Sequence, residues 1–61
     1  MTFIAENTFA AACCDQNSVE ELEDALRDGP DASDMRAWGL TAEDWTAQIK
    51  LALKAKREAA E

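Results

Sequence analysis

The stretch Ser18-Val19-Glu20-Glu21-Leu22-Glu23-Asp24-Ala25-Leu26-Arg27-Asp28-Gly29-Pro30 decides the fold class. Ser18 followed three residues later by Glu21 spells a capping box, in which each side chain accepts a hydrogen bond from the other residue's unpaired backbone N–H. Val19, Leu22 and Leu26 then recur at helical spacing with Ala25 beside them, so one face of the segment is apolar and the opposite face is carboxylate-rich. Gly29 can take the left-handed position after the last turn, and Pro30 cannot continue a helix. The segment therefore predicts a helix from Val19 to about Asp28 whose two ends are both written in its own residues.

Working outward, the same punctuation repeats. Asp31 or Ser33 caps a short helix from about Ala32 to Trp38, which Gly39 closes. Thr41 caps the last helix, with Asp44 three positions on as a weaker capping box and Leu40 and Trp45 placed as a hydrophobic staple. That helix is predicted to reach Ala59. Its inward stripe is Trp45, Ile49, Ala52 and Leu53, while Leu51 falls roughly 120° off the stripe and is a candidate for an exposed apolar contact, although single exposed Leu residues are common and need no partner. Upstream, an Ala-rich run predicts a helix from about Thr2 to Cys14, with Asn7 and Thr8 as the place where it would break and restart. No strand pattern competes. The expectation is an all-α fold, a small bundle of three to four short helices forming one helical domain over residues 1–61. Trp38, Trp45, Phe3 and Phe9 anchor its packing.

Size limits what such a bundle can do. A chain of 61 residues buries only about 60% of the surface its unfolded form exposes, which argues against a deep catalytic pocket. Of the 29 residues counted as hydrophobic, 13 are Ala and 2 are Cys, leaving 14 large apolar side chains for a core. With no His in the chain, a general base and a zinc ligand of that type are missing, and no enzyme activity, cofactor or metal is expected. Asp28 to Asp34 is acidic but lacks the glycine register of a calcium loop, so it reads as a turn with helix caps. The adjacent Cys13 and Cys14 cannot bridge without strain and read as free, packed thiols; a thiol sensor is the lesser reading. The first residues carry no basic segment ahead of an apolar run, and no apolar stretch exceeds the six residues Phe9 to Cys14. A cytoplasmic protein with no membrane partner is expected.

Met35 to Ile49 has the outline of a helix-turn-helix, yet its would-be reading helix opens with Glu43 and Asp44, which duplex DNA repels. Direct nucleic-acid binding is not expected. The basic residues Lys50, Lys54, Lys56 and Arg57 lie near the far end of that helix, where they complement its dipole.

What stands out is charge. Acids outnumber bases 13 to 6, a net charge of −7. Residues 1–44 carry 11 acids and 2 bases and residues 45–61 carry 2 acids and 4 bases, so the chain is electrically lopsided. With Val19, Leu22 and Leu26 inward, Glu20, Glu21, Glu23, Asp24 and Asp28 lie outward, and Asp31 and Asp34 continue the run into an expected exterior ridge. A charged exterior serves solubility in any small protein. It also suits a ligand for the Lys- and Arg-lined surface of a protein that handles nucleic acid, where carboxylates profit from the steering that attracts phosphate. In size and charge the chain is similar to small acidic helical proteins of phages and mobile elements that block restriction or CRISPR machinery, although no residue motif identifies a family. The expected function is an inhibitor or adaptor docking on a basic protein surface through those seven carboxylates. The alternative is an interaction module or homodimer that uses the apolar side of the last helix at Leu51 and Ala55.

Overall fold

The computed structural model describes residues 2–60, and the side chains of residues 2–59. Among them lie four helices in chain order: α1 (Phe9–Gln16), α2 (Val19–Asp28), α3 (Ala32–Trp38) and α4 (Ala42–Ala60). The described residues contain no strand. α4 is the shared spine, with α1 and α2 packed along it and α3 touching it only lightly.

The capping box predicted for α2 is present in both directions: Glu21 N–H donates to Ser18 Oγ (3.2 Å) and Ser18 N–H donates to Glu21 Oε1 (2.9 Å). α3 starts on Asp31, whose carboxylate accepts from the Asp34 N–H (3.1 Å). It ends at Gly39 in the left-handed region (φ 65°), with the Leu40 N–H reaching back to the Met35 carbonyl (2.9 Å) as the closing bond of a Schellman turn. Thr41 caps α4 by accepting from the Asp44 N–H (3.1 Å), and the Asp44 carboxylate returns the bond to the Thr41 N–H (3.4 Å). Leu40, ahead of that cap, packs against the core that holds Trp45, as a hydrophobic staple requires.

Phe9, Ala10 and Cys13 of α1, Leu22 of α2, and Trp45, Ile49, Ala52 and Leu53 of α4 form the core. The α4 members are the stripe read from its periodicity. Ala10 and Ala52 are fully buried, small side chains that let α1 lie close against α4. Trp45, 2% exposed, and Leu22, 1% exposed, are the largest fully buried side chains. Removing either would leave a cavity in a core with no second layer to fill it.

Four expectations are corrected. The first helix begins at Phe9 and not near Thr2, because Asn7 adopts a left-handed conformation (φ 62°) and Thr8 becomes the N-cap, accepting from the Ala11 N–H (3.2 Å). Asn tolerates that conformation better than other non-Gly residues. Phe3 is no packing anchor: it is 82% exposed, because residues 2–5 run over the surface outside any helix. The bundle packs around one tryptophan and not two, since Trp38 is 43% exposed and lies at the rim, its ring 5.8 Å from that of Phe9. Leu51 is half-buried and packed against the core rather than exposed. α4 has helices on two sides, so its buried sector is wider than a single stripe.

Candidate functional site

On α2, Glu21, Asp24 and Asp28 follow one another at i, i+3 and i+7, a spacing that puts three carboxylates on one face. The turn at Gly29 (φ 96°) and Pro30 brings α3 back beside that face. Asp31, at the α3 cap, and Asp34, one turn on, then face the same space. The five carboxylates line an open cleft of about 370 Å³ whose wall includes the buried Trp45 indole. The indole Nε1–H donates to Asp34 Oδ2 at 3.3 Å, which fixes that carboxylate toward α4.

The seven predicted carboxylates therefore do not form one uniform ridge. Glu20, Glu21, Asp24, Asp28 and Asp31 are exposed, whereas Glu23 and Asp34 are half-buried. Glu23 turns away from the cleft and accepts a charge-assisted hydrogen bond from Arg57 at 2.6 Å, joining α2 to α4. Glu20 also lies outside the cleft lining. Asp24 is within 3.1 Å of Arg27, but both side chains are more than half exposed, so the pair is weak and Asp24 remains open to solvent. The periodicity that separates Glu21, Asp24 and Asp28 from Glu20 and Glu23 was readable in the sequence. The return of α3 across the same space was not.

The basic end of α4 divides its labour. Lys56 Nζ donates to the Cys14 carbonyl at 2.8 Å and so satisfies a C-terminal carbonyl of α1. Arg57 holds Glu23. Lys50 and Lys54 stay exposed and, with Leu53, Arg57 and Glu58, border a shallow, predominantly basic recess of about 390 Å³. The acidic cleft adjoins Trp45 near the start of α4, and this basic recess lies toward its other end.

Both cysteines carry free thiols, Cys13 buried and Cys14 half-buried. Burial first, and then the negative charges of Asp34 and Cys14, push the Cys13 thiol up to about 11. A thiol held protonated in this way is a poor nucleophile at neutral pH, which weighs against the sensor reading. Among the described residues, no group of three or more Cys, Asp or Glu is arranged to hold a metal ion. None of the helices described is long and apolar enough to cross a membrane.

Compared with known proteins, the chain matches no family model, no curated protein and no solved structure.

Proposed function

We propose that the chain is a non-enzymatic cytoplasmic binding protein that docks through its acidic cleft on a basic surface of a partner protein. The partner's surface is one that ordinarily handles nucleic acid. The observation that carries this reading is the convergence of Glu21, Asp24, Asp28, Asp31 and Asp34 on one open cleft. Five carboxylates on two helices make a compact negative field, and a field of that kind steers Lys- and Arg-rich surfaces at long range and fixes their register at short range. Asp34 is oriented by the Trp45 indole and Asp31 by its cap, so part of the array is held before a partner arrives. The consequence for the partner is occlusion of its nucleic-acid surface, in the manner of acidic phage proteins that block restriction or CRISPR machinery.

The test is capture of a partner from a cell lysate by the immobilised chain, with Asp24→Lys/Asp28→Lys as the comparison. The reading expects a basic nucleic-acid-handling protein that duplex DNA competes off the wild-type chain and that the double variant fails to hold. Equal capture by the variant, or a captured protein indifferent to DNA, overturns it.

A further inference from the structure

We propose that α3 is a hinged flap over the core, latched by the Asp34 carboxylate on the Trp45 indole, and that its opening removes one wall of the acidic cleft. The consequence for docking rests on the function proposed above, whereas the flap itself does not.

The argument starts from length. α3 has seven residues, and helices shorter than about 12 residues are marginal in water without tertiary support. That support is thin. Every residue of α3 keeps contact with solvent: Asp34 and Met35 are half-buried and the other five are exposed. Three ties hold the helix down. The Trp45 indole N–H donates to Asp34 (3.3 Å), Met35 packs at the edge of the core, and the Trp38 ring leans on Phe9 at 5.8 Å with a 56° tilt. By contrast, α2 buries Leu22 and is bonded to α4 through Glu23 and Arg57.

Both ends of α3 are glycine turns with open space around them. Gly29 at φ 96° and Gly39 at φ 65° occupy backbone conformations that other residues rarely adopt. Lifting α3 about these turns breaks the Leu40–Met35 bond but leaves the Ser18–Glu21 box and the Thr41–Asp44 cap outside the moving segment. Cooperative units with few buried contacts open at lower free energy than the whole domain.

Beneath the flap is a recess of about 290 Å³ in which Cys13 and Phe9 of α1 face Asp34 and Trp38 of α3. Opening gives Cys13 to water and moves Asp31 and Asp34 away from Glu21, Asp24 and Asp28. The closed arrangement keeps the thiol protonated through burial and the nearby Asp34 charge. The Cys13 thiol is thus a built-in reporter of the flap.

The test uses the full chain carrying Cys14→Ser, so that Cys13 is the sole thiol, and follows its reaction with an aromatic disulfide reagent in native buffer. Adding Asp34→Ala removes the latch but leaves the Asp31 cap, which bonds the backbone of residue 34. The labelling rate, divided by the thiolate fraction read from its pH profile because the substitution also removes the Asp34 charge, should rise about tenfold, equivalent to about 1.4 kcal/mol, with a urea dependence much shallower than that of global unfolding. Labelling that simply tracks global unfolding overturns the flap. Amide exchange on the unmodified chain is the second arm and requires no variant to fold. The hydrogen-bonded Met35 and Leu40 amides should exchange at least about tenfold faster than those in the middle of α4, and equal protection overturns the proposal. Neither arm involves a partner, so failure of the flap is distinguishable from failure of the docking function.

Discussion

α2 and α3 are neighbours, both capped by an oxygen side chain and both closed at a glycine. They differ in what they bury. α2 inserts Leu22 into the core at 1% exposure, and α3 inserts nothing to that depth. The contrast separates two physical jobs that sequence reading tends to merge. Caps decide where a helix begins and ends, and burial decides how firmly it stays. The cleft lies between a fixed wall and a lightly held one.

The largest expected effect sharpens this contrast directly. Leu22→Ala should cost about 2–5 kcal/mol, enough to abolish most cooperative folding in so small a domain, as read by far-ultraviolet circular dichroism and urea titration. Met35→Ala should cost roughly 1 kcal/mol because its side chain is only half-buried. Comparable losses from the two variants would erase the distinction between the walls.

Next come the caps. Ser18→Ala removes one half of the α2 capping box and should lower global stability by about 1 kcal/mol. Asp31→Ala removes a similar bond and should lower global stability by a similar amount, but its effect on amide exchange should be confined to residues 34–40 and depend little on urea. Faster exchange spread evenly over all four helices would mean that α3 unfolds only with the rest of the molecule.

A pH effect distinguishes the covered side of α1 from its surroundings. The folded-state pKa of Cys13, about 11, lies above its ordinary value of 9.0. The neutral thiol is therefore favoured by folding, and its contribution is fully present below pH 9.0 and is lost as pH rises toward 11. The thermal midpoint should fall over that range, and the fall should be smaller in Cys13→Ala. A pH profile unchanged by the substitution would show that the thiol is not buried as described.

The smallest effect concerns residues 2–5. Thr2, first through its side chain and then through its backbone N–H, bonds the Glu58 carboxylate and holds it below the usual carboxylate range. That tie is complete above the ordinary carboxylate pKa and is lost as pH falls through the lowered one. Thr2 resonances should shift on acidification with no change in helicity, and Glu58→Gln should flatten the titration.

Much of the fold was legible because caps are local. Ser18 with Glu21, Thr41 with Asp44, and Gly29 and Gly39 bound three helices within spans of three or four residues, and no distant contact can rewrite such short patterns. Tertiary competition was harder to read. Asn7 and Thr8 marked the place where the Ala-rich helix would break and restart, and the left-handed Asn7 decided the matter. The stripe of Ile49, Ala52 and Leu53 on its own helix marks Trp45 as core, whereas nothing within the seven residues of α3 marks Trp38 as lying at the rim. The acidic site was half visible: the α2 carboxylates share a face by helical arithmetic, whereas the Glu23–Arg57 pair spans 34 positions and the closing wall depends on a turn whose direction the residues do not announce.

The most direct measurement of the central claim is a charge-matched comparison of affinity for a fluorescent arginine-rich peptide at low and at physiological salt. Asp24→Lys/Asp28→Lys changes the cleft. Glu6→Lys/Asp15→Lys makes the same change in net charge beside a different recess. At physiological salt, where charges beyond about 8 Å are screened, the cleft pair should lose affinity on the order of tenfold and the distant pair about twofold. Equal losses from the two pairs would show that net charge alone attracts the peptide and that the cleft is not a docking site.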